Sequence, residues 1–316
     1  MLQRVSKKIL GLLALPVLLA GCGGNGSGEE KPPMDNTPTR GTLYMSVDES
    51  FKPVIDSQIK VYEASFPNTK IIAEYKPEAE CLKDLENDST KLVIVTRGLS
   101  KEESEGFKQT LGFAPPWGII AWDAIAVITH KSNNGMYTVS EIKNLLLGET
   151  PSKMKVVMDG LSATSTVRFA MDSLLGGRPF GTNVVAKKNS REVIEYVASD
   201  PQSIGMIGVS WIGDEDDPEQ LSFQQKVNVA SLKCETCDST VYVKPYQANI
   251  GLGRYPLIRS LNYILKENFN GLGRGFVSFM IYERGQLIFK RAYLLPARMQ
   301  FEVRNMNIKE DVMLTK

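Results

Sequence analysis

Residues 118–130 read GIIAWDAIAVITH. The run is apolar apart from Asp123 and the closing Thr129-His130, and it is long enough to form a strand that crosses from one domain to another. Strand and helix alternate on both sides of it. Upstream, TLYMSV (42–47), KIIAEY (70–75) and KLVIVT (91–96) read as strands. The last is a continuous apolar run, as expected of a strand buried on both faces of a parallel sheet. Residues 51–66 carry Val54, Ile55, Ile59, Tyr62 and Phe66 as a helical stripe, and Pro67-Asn68 stops it. Residues 80–88 predict a short helix, and 100–111 a helix with a Ser cap and acids in its first turn. Downstream, Thr138-x-x-Glu141 is a capping box before a helix ending at Gly148. A strand at 154–158 and helices at 167–175 and 190–199 follow. Residues 204–213 are apolar with glycine interruptions, and 226–231 return as a strand. Residues 255–268 and 273–292 read as helices, and 301–308 as a closing strand. This order predicts an α/β fold with helices on the faces of a sheet. The 316 residues suffice for two domains of ordinary size.

The first forty residues stand outside that alternation. A basic start (Arg4, Lys7, Lys8) precedes an apolar run at 9–20. The run is shorter than the roughly 20 residues a membrane span needs and fits the core of a signal peptide. Leu19-Ala20-Gly21-Cys22 looks like a bacterial lipobox. It implies removal of residues 1–21 and acylation of Cys22, and two or more acyl chains hold a protein stably at a membrane. Residues 22–40, rich in Gly, Pro and polar groups, read as a flexible tether.

Residues 157–169, VMDGLSATSTVRF, place Ser162, Thr164, Ser165 and Thr166 between a strand and the helix at 167–175. The first amides of a helix lack internal partners and carry the positive end of its dipole, so an anion is favoured there. Hydroxyls add donors, and Arg168 offers a fork suited to phosphate or carboxylate. One helix cap needs one hydroxyl, and four exceed that need. Two other strand ends have the same character: Asp48-Glu49-Ser50-Phe51 after 42–47, and Thr96-Arg97-Gly98 after 91–96. Ligands of open α/β sheets gather at the carboxyl ends of strands, so these turns would converge if their strands share one side of a cleft.

Other chemistry has little support. A net charge of +1 gives no field for nucleic acid. The single histidine, His130, ends a strand before a surface turn. No Ser/His/Asp set, metal-ligand cluster or Gly-x-x-x-x-Gly-Lys loop is present, and GLGRG (271–275) lacks a preceding strand. The sequence therefore predicts a protein that is not an enzyme and has no cofactor or metal. Cys234 and Cys237 in KCETCDS fit a local disulfide outside the cytosol, with free thiols or a redox or metal role as alternatives. Cys81 reads as a buried thiol. The three tryptophans, Trp117, Trp122 and Trp211, suit core packing or a hinge better than a cleft.

In this order the motifs resemble the PstS-like phosphate-binding family of ABC importers, type II periplasmic substrate-binding proteins, in lipoprotein form. DESFKP (48–53) stands at the family's first hydroxyl turn, VTRGLS (95–100) at its second anion turn, DAIAVITH (123–130) at its crossing strand, and ATST (163–166) at its Gly-Ser-Gly-Thr turn. IGMIGVSWIGD (204–214) and the C-terminal helices also match. The resemblance implies two lobes, each a mixed sheet flanked by helices, joined by two crossover segments and closing on ligand. Residues 41–122 and 235–310 would form one lobe and 126–230 the other. It implies a ligand site built from Ser50, Phe51, Thr96, Arg97, Thr164, Ser165, Thr166 and Arg168. The implied protein is a monomer, lipid-anchored at Cys22 in the bacterial cell envelope and facing the periplasm, which passes phosphate or a similar oxyanion to an ABC permease. The departures are acidic. Asp48 and Glu49 replace small residues, Glu78 and Glu80 stand where Gly and Ser are usual, and Asp159 or Gly160 stands where many relatives have Arg, a place Arg168 could fill. Acids near an anion are costly unless they face solvent or one accepts a phosphate proton, which would select monohydrogen phosphate over sulfate. The same fold with another ligand, acting in sensing or envelope function, is the alternative those acids raise.

Overall fold

The computed structural model describes residues 35–150, 153–160, 163–238 and 240–298. The expected signal segment, Cys22, most of the tether, Ser162 and the strand expected at 301–308 lie outside the described residues. β1 (Gly41–Asp48), α1 (Lys52–Ser65), β2 (Thr69–Lys76), α2 (Glu78–Lys83), β3 (Thr90–Val95) and α3 (Lys101–Leu111) precede the long β4 (Trp117–His130). Then come β5 (Met136–Tyr137), α4 (Val139–Leu147), β6 (Lys155–Met158), α5 (Ser165–Phe169), β7 (Val184–Ala186), α6 (Ser190–Ser199) and β8 (Ser203–Gly208). They are followed by α7 (Pro218–Lys226), β9 (Val227–Val229), β10 (Ser231–Lys233), β11 (Tyr242–Val243) and α8 (Gln247–Gly251). Finally come β12 (Ile258–Leu265), α9 (Leu272–Ile281), α10 (Glu283–Arg291) and β13 (Leu295–Pro296). Both capping boxes form, Ser100 with Glu103 and Thr138 with Glu141. The helix from Thr138 ends at Gly148 with φ +69°, a left-handed turn that glycine adopts without strain.

One mixed sheet runs in the order β2-β1-β3-β12-β4-β8-β6-β7, with β9 and β13 also on β4. β4 is its hub. Its first part pairs with β12 through Ala124, and its second part pairs with β8 from Ile125. The core changes along the strand. Ile120 and Ala121 pack with Leu43, Met45, Phe51, Ile55, Phe276 and Phe289. Ala124, Ile125 and Val127 pack with Ile142, Leu146, Val156, Met158 and Ile204. β12 makes the return passage. Leu257 belongs to the second core, while Leu261 and Leu265 belong to the first. Two lobes thus meet at two antiparallel crossings lying side by side. Each fully buried aliphatic side chain in these cores contributes about 1.5–3 kcal/mol, so each lobe has its own apolar support.

Three expectations change here. The helix expected at 255–268 is strand β12, whose pattern was misleading because residues on both its faces are buried. The return to the first lobe does not begin at 235. Leu232, Ile250, Tyr255 and Leu257 all pack in the second core, which places the crossing at the start of β12. The helix expected at 167–175 starts at Ser165 and widens into a π turn at Ala170–Leu174.

Cys234 and Cys237 form a disulfide with Cα atoms 5.4 Å apart, in the loop between the paired strands β10 and β11. Cys81 is a free, buried thiol. So short a closed loop restricts the unfolded chain modestly. Replacing both cysteines with serine is expected to cost about 2 kcal/mol in chemical denaturation. Ligand affinity is expected to stay unchanged, because the hydrogen bonds of Cys234 run to Thr236 and Val241 and not to the site residues. A loss of affinity would place the loop in the site.

Candidate interlobe anion site

The side chains that meet between the lobes come from four strand ends and both crossings. β1 ends at Asp48, whose Oδ1 accepts the Ser50 amide at 2.9 Å and fixes the first turn. Ser50 is fully buried and its hydroxyl points at the second lobe, 3.4 Å from Ser165 Oγ and 3.5 Å from Asp159 Oδ2. Ser210 Oγ donates to the Ser50 carbonyl at 2.8 Å. In the third turn Thr164 caps α5 by accepting the Val167 amide and donates to Asp159 Oδ1 at 3.0 Å. Thr166 Oγ1 donates to Asp159 Oδ2 at 3.3 Å. Each hydroxyl of that turn within the described residues therefore has a distinct bond, and only Thr164 acts as a cap.

Arg259 supplies the buried cation. On β12 it lies in register with Asp123 on β4, at the point where both strands change lobe. Its Nε donates to Asp123 Oδ2 at 2.7 Å, and its Nη1 donates to Ser165 Oγ at 2.9 Å and Thr166 Oγ1 at 3.4 Å. The Phe51 ring lies beside the guanidinium, 5.0 Å from its centroid. Arg259 Nη2, Asp48 Oδ2 and Asp123 Oδ1 are buried without a hydrogen-bond partner among the described residues. β8 leaves room for this group because it ends in Gly208, where a Cβ would stand 3.0 Å from Arg259 Nη2.

Beside this cluster, Thr96 at the end of β3 donates its amide and its hydroxyl to Glu78 Oε1, at 2.8 and 2.6 Å. Arg168 donates from Nε to Glu78 Oε2 at 2.5 Å and from Nη2 to Thr96 Oγ1 at 2.6 Å. Glu49 accepts the Ser190 hydroxyl at 3.0 Å, a further bond between the lobes.

Carboxyls dominate the charge. Burial pushes Asp48 up to about 6 against the pull of Arg259. Burial and the nearby Asp159 charge push Glu49 up to about 8. Burial also raises Asp159, opposed by its bonds to Thr164 and Thr166 and by Arg259. For Glu78, burial works upward, but Arg168 and Thr96 outweigh it and hold the carboxyl below its ordinary range. A single inner guanidinium faces Asp48, Asp123 and Asp159 together, and burial outweighs it, so all three carboxyls are shifted towards the protonated form. A carboxyl that keeps its proton can donate a hydrogen bond.

The three predicted turns do converge, with Ser50, Thr96, Thr164, Ser165 and Thr166 all buried. Phe51 backs the arginine. Arg97 points elsewhere: its guanidinium is held by both oxygens of Glu103 at 2.7 and 2.8 Å, on its own lobe. Arg168 bonds Glu78 and Thr96, and Arg259 reaches the third turn from the crossing. Of the acids, Glu80 is exposed, while Asp48 and Glu78 face inward. Arg259 and the role of Asp123 escaped the sequence reading, which named Asp159 only as a departure from the family pattern.

A family model described as PBP superfamily domain matches residues 33–284. The phosphate-binding protein PstS of Borreliella burgdorferi is 25% identical over 254 residues, covering 74% of this chain and 82% of that protein. A Clostridium perfringens protein assigned as a phosphate ABC transporter substrate-binding protein, with bound phosphate, superposes with a TM-score of 0.66 at 20% identity over 82% of this chain and all of that one. An ABC-type phosphate transport receptor from Vibrio cholerae gives 0.58 at 15% identity, covering 81% of this chain and all of that one. These structures share the two-lobed type II periplasmic-binding-protein fold.

Proposed function

The chain belongs to the PBP superfamily, and from that premise we propose that it is a lipid-anchored extracytoplasmic protein that captures phosphate between its lobes for an ABC importer. It is a binding protein rather than an enzyme, similar to phosphate-binding PstS proteins. The observation that carries the reading is the meeting of Ser50, Ser165, Thr166 and Arg259 between the lobes, with Arg259 Nη2 buried and unpartnered among the described residues. A buried oxyanion needs every oxygen hydrogen-bonded, and hydroxyl and guanidinium donors from both lobes meet that need only when the lobes are closed. Thr96 and Arg168 add donors on the open side.

The carboxyls suit phosphate better than sulfate. Monohydrogen phosphate carries a proton that an ionised carboxylate can accept, and its remaining oxygens accept bonds from protonated carboxyls. Sulfate at neutral pH has no proton to give and meets the ionised carboxylate as a like charge. The protein acts as a monomer facing the periplasm, held at a membrane through Cys22. No helix among the described residues is long and apolar enough to cross a membrane.

Isothermal titration of the purified protein with phosphate and with sulfate tests the ligand. Phosphate is expected to bind and sulfate to bind at least about a hundredfold more weakly. Absence of heat with phosphate would sink the reading. Cys22→Ala is expected to move the protein from the membrane fraction to the soluble extracytoplasmic fraction.

A further inference from the structure

Glu78 opens α2 on the first lobe and is 1% exposed, yet its carboxylate is bonded to the second. Its two oxygens take a strand-end amide and hydroxyl from Thr96 and the Nε of Arg168, with Arg168 Nη2 3.4 Å from Oε1. The main chain joins the same two turns, since the Ala79 amide donates to the Ala163 carbonyl at 3.0 Å. Ala163 holds φ +71°, a left-handed backbone that a non-glycine residue adopts at a cost. An amide, a hydroxyl and a guanidinium edge are the groups an oxyanion between the lobes would recruit. In this chain they grip an anion that the chain itself carries.

We propose that Glu78 is a resident anion. Its carboxylate stands in for ligand oxygens at Thr96 and Arg168, draws the lobes together, and has to leave those donors before an incoming oxyanion can use them. The assignment of phosphate as that oxyanion rests on the function proposed above, whereas the closing role of Glu78 does not depend on it. The geometry gives the carboxylate somewhere to go. A cavity of about 290 Å³ opens beside it, lined by Glu78, Ala79, Arg97, Ala163, Arg168 and Asp172 among others. Arg168 is 36% exposed, so water can solvate its guanidinium once the pair parts. An ion pair serving only to brace one lobe would sit within that lobe, as Arg97 and Glu103 do. Arg168 and Glu78 instead join the two lobes and line that cavity. A binding protein that spends most of its time closed on its own side chain binds ligand more weakly by the fraction of time it is open.

The test uses the full chain with nitroxides at Lys60→Cys and Lys188→Cys, one on each lobe. It combines electron–electron distance measurement without phosphate and calorimetric titration with inorganic phosphate. The chain with Glu78 intact is expected to give a short distance, and Glu78→Ser a longer, broader one. Phosphate affinity of Glu78→Ser is expected to rise roughly tenfold to a hundredfold. Arg168→Met is expected to open the lobes in the same way but to lower phosphate affinity, so the two variants diverge in sign. Glu78→Gln, which keeps the volume, serves if the serine variant fails to fold. An unchanged distance in folded Glu78→Ser and Glu78→Gln overturns the proposal, as does weaker phosphate binding by both. Opening of the lobes with no phosphate binding by any variant supports the resident anion and overturns the phosphate reading instead.

Discussion

Arg259→Met is expected to lower phosphate affinity by about a thousandfold or more and to destabilise the fold by about 3–5 kcal/mol at neutral pH. Both effects follow from its position at the crossings. Arg259 bonds Asp123, Ser165 and Thr166 at once, with Asp48 and Asp159 also acting on its charge. Without it, the buried carboxyls lose the guanidinium that faces them, and Ser165 and Thr166 lose the donor that orients them. Stability and binding can be separated by a second substitution. Replacing a buried ion pair by apolar residues of similar size is often neutral or stabilising, whereas removing one partner is not. Arg259→Met with Asp123→Leu is therefore expected to recover most of the lost stability in chemical denaturation. It is not expected to recover binding, because no buried cation returns. If the double variant binds phosphate as the parent does, Arg259 holds the crossings together and takes no part in the site.

The sequence made the frame legible where a local signal existed. The long apolar run of β4 announced a crossing. The boxes at Ser100 and Thr138 announced helix starts, because capping is satisfied within four residues. The hydroxyl turns announced their convergence through their place at strand ends. What stayed hidden depended on partners far along the chain. Arg259 pairs with Asp123, 136 positions away, from a strand buried on both faces, and such a strand loses the alternation that would have marked it. Glu78 and Glu80 show the same limit at closer range. They lie two positions apart on α2, about 200° around the helix, so one faces the second lobe and the other faces water. Arg97 and Arg168 both looked like anion ligands. Glu103 follows Arg97 closely enough to claim it, while Arg168 also reaches Glu78, 90 residues away.

Glu49 makes the stability of the closed form fall as pH rises. Its carboxyl is largely buried between the lobes, bonded to the Ser190 hydroxyl and near Asp159. Burial, reinforced by that charge, raises it from 4.5 to about 8 in the folded chain. A group whose folded value is raised binds more protons in the folded than in the unfolded state throughout that interval. The stability it contributes is therefore complete below about pH 4.5 and is lost progressively towards pH 8. Asp48, raised from 3.8 to about 6, adds to the same loss over the lower part of the window. Glu78 works in the opposite sense: its lowered value makes stability fall as acid protonates it, below the usual carboxylate range. Between these trends the melting temperature is expected to peak on the acid side of neutrality. Glu49→Gln removes the titration and keeps an oxygen that can accept from Ser190 Oγ. Scanning calorimetry from pH 4 to pH 9 is expected to show a flatter profile for this variant, with little change near pH 5 and a melting point several degrees above the parent near pH 8. A variant profile that runs parallel to the parent's would mean that Glu49 reaches water in the closed form and that the lobes are less tightly joined at Ser190 than the geometry implies.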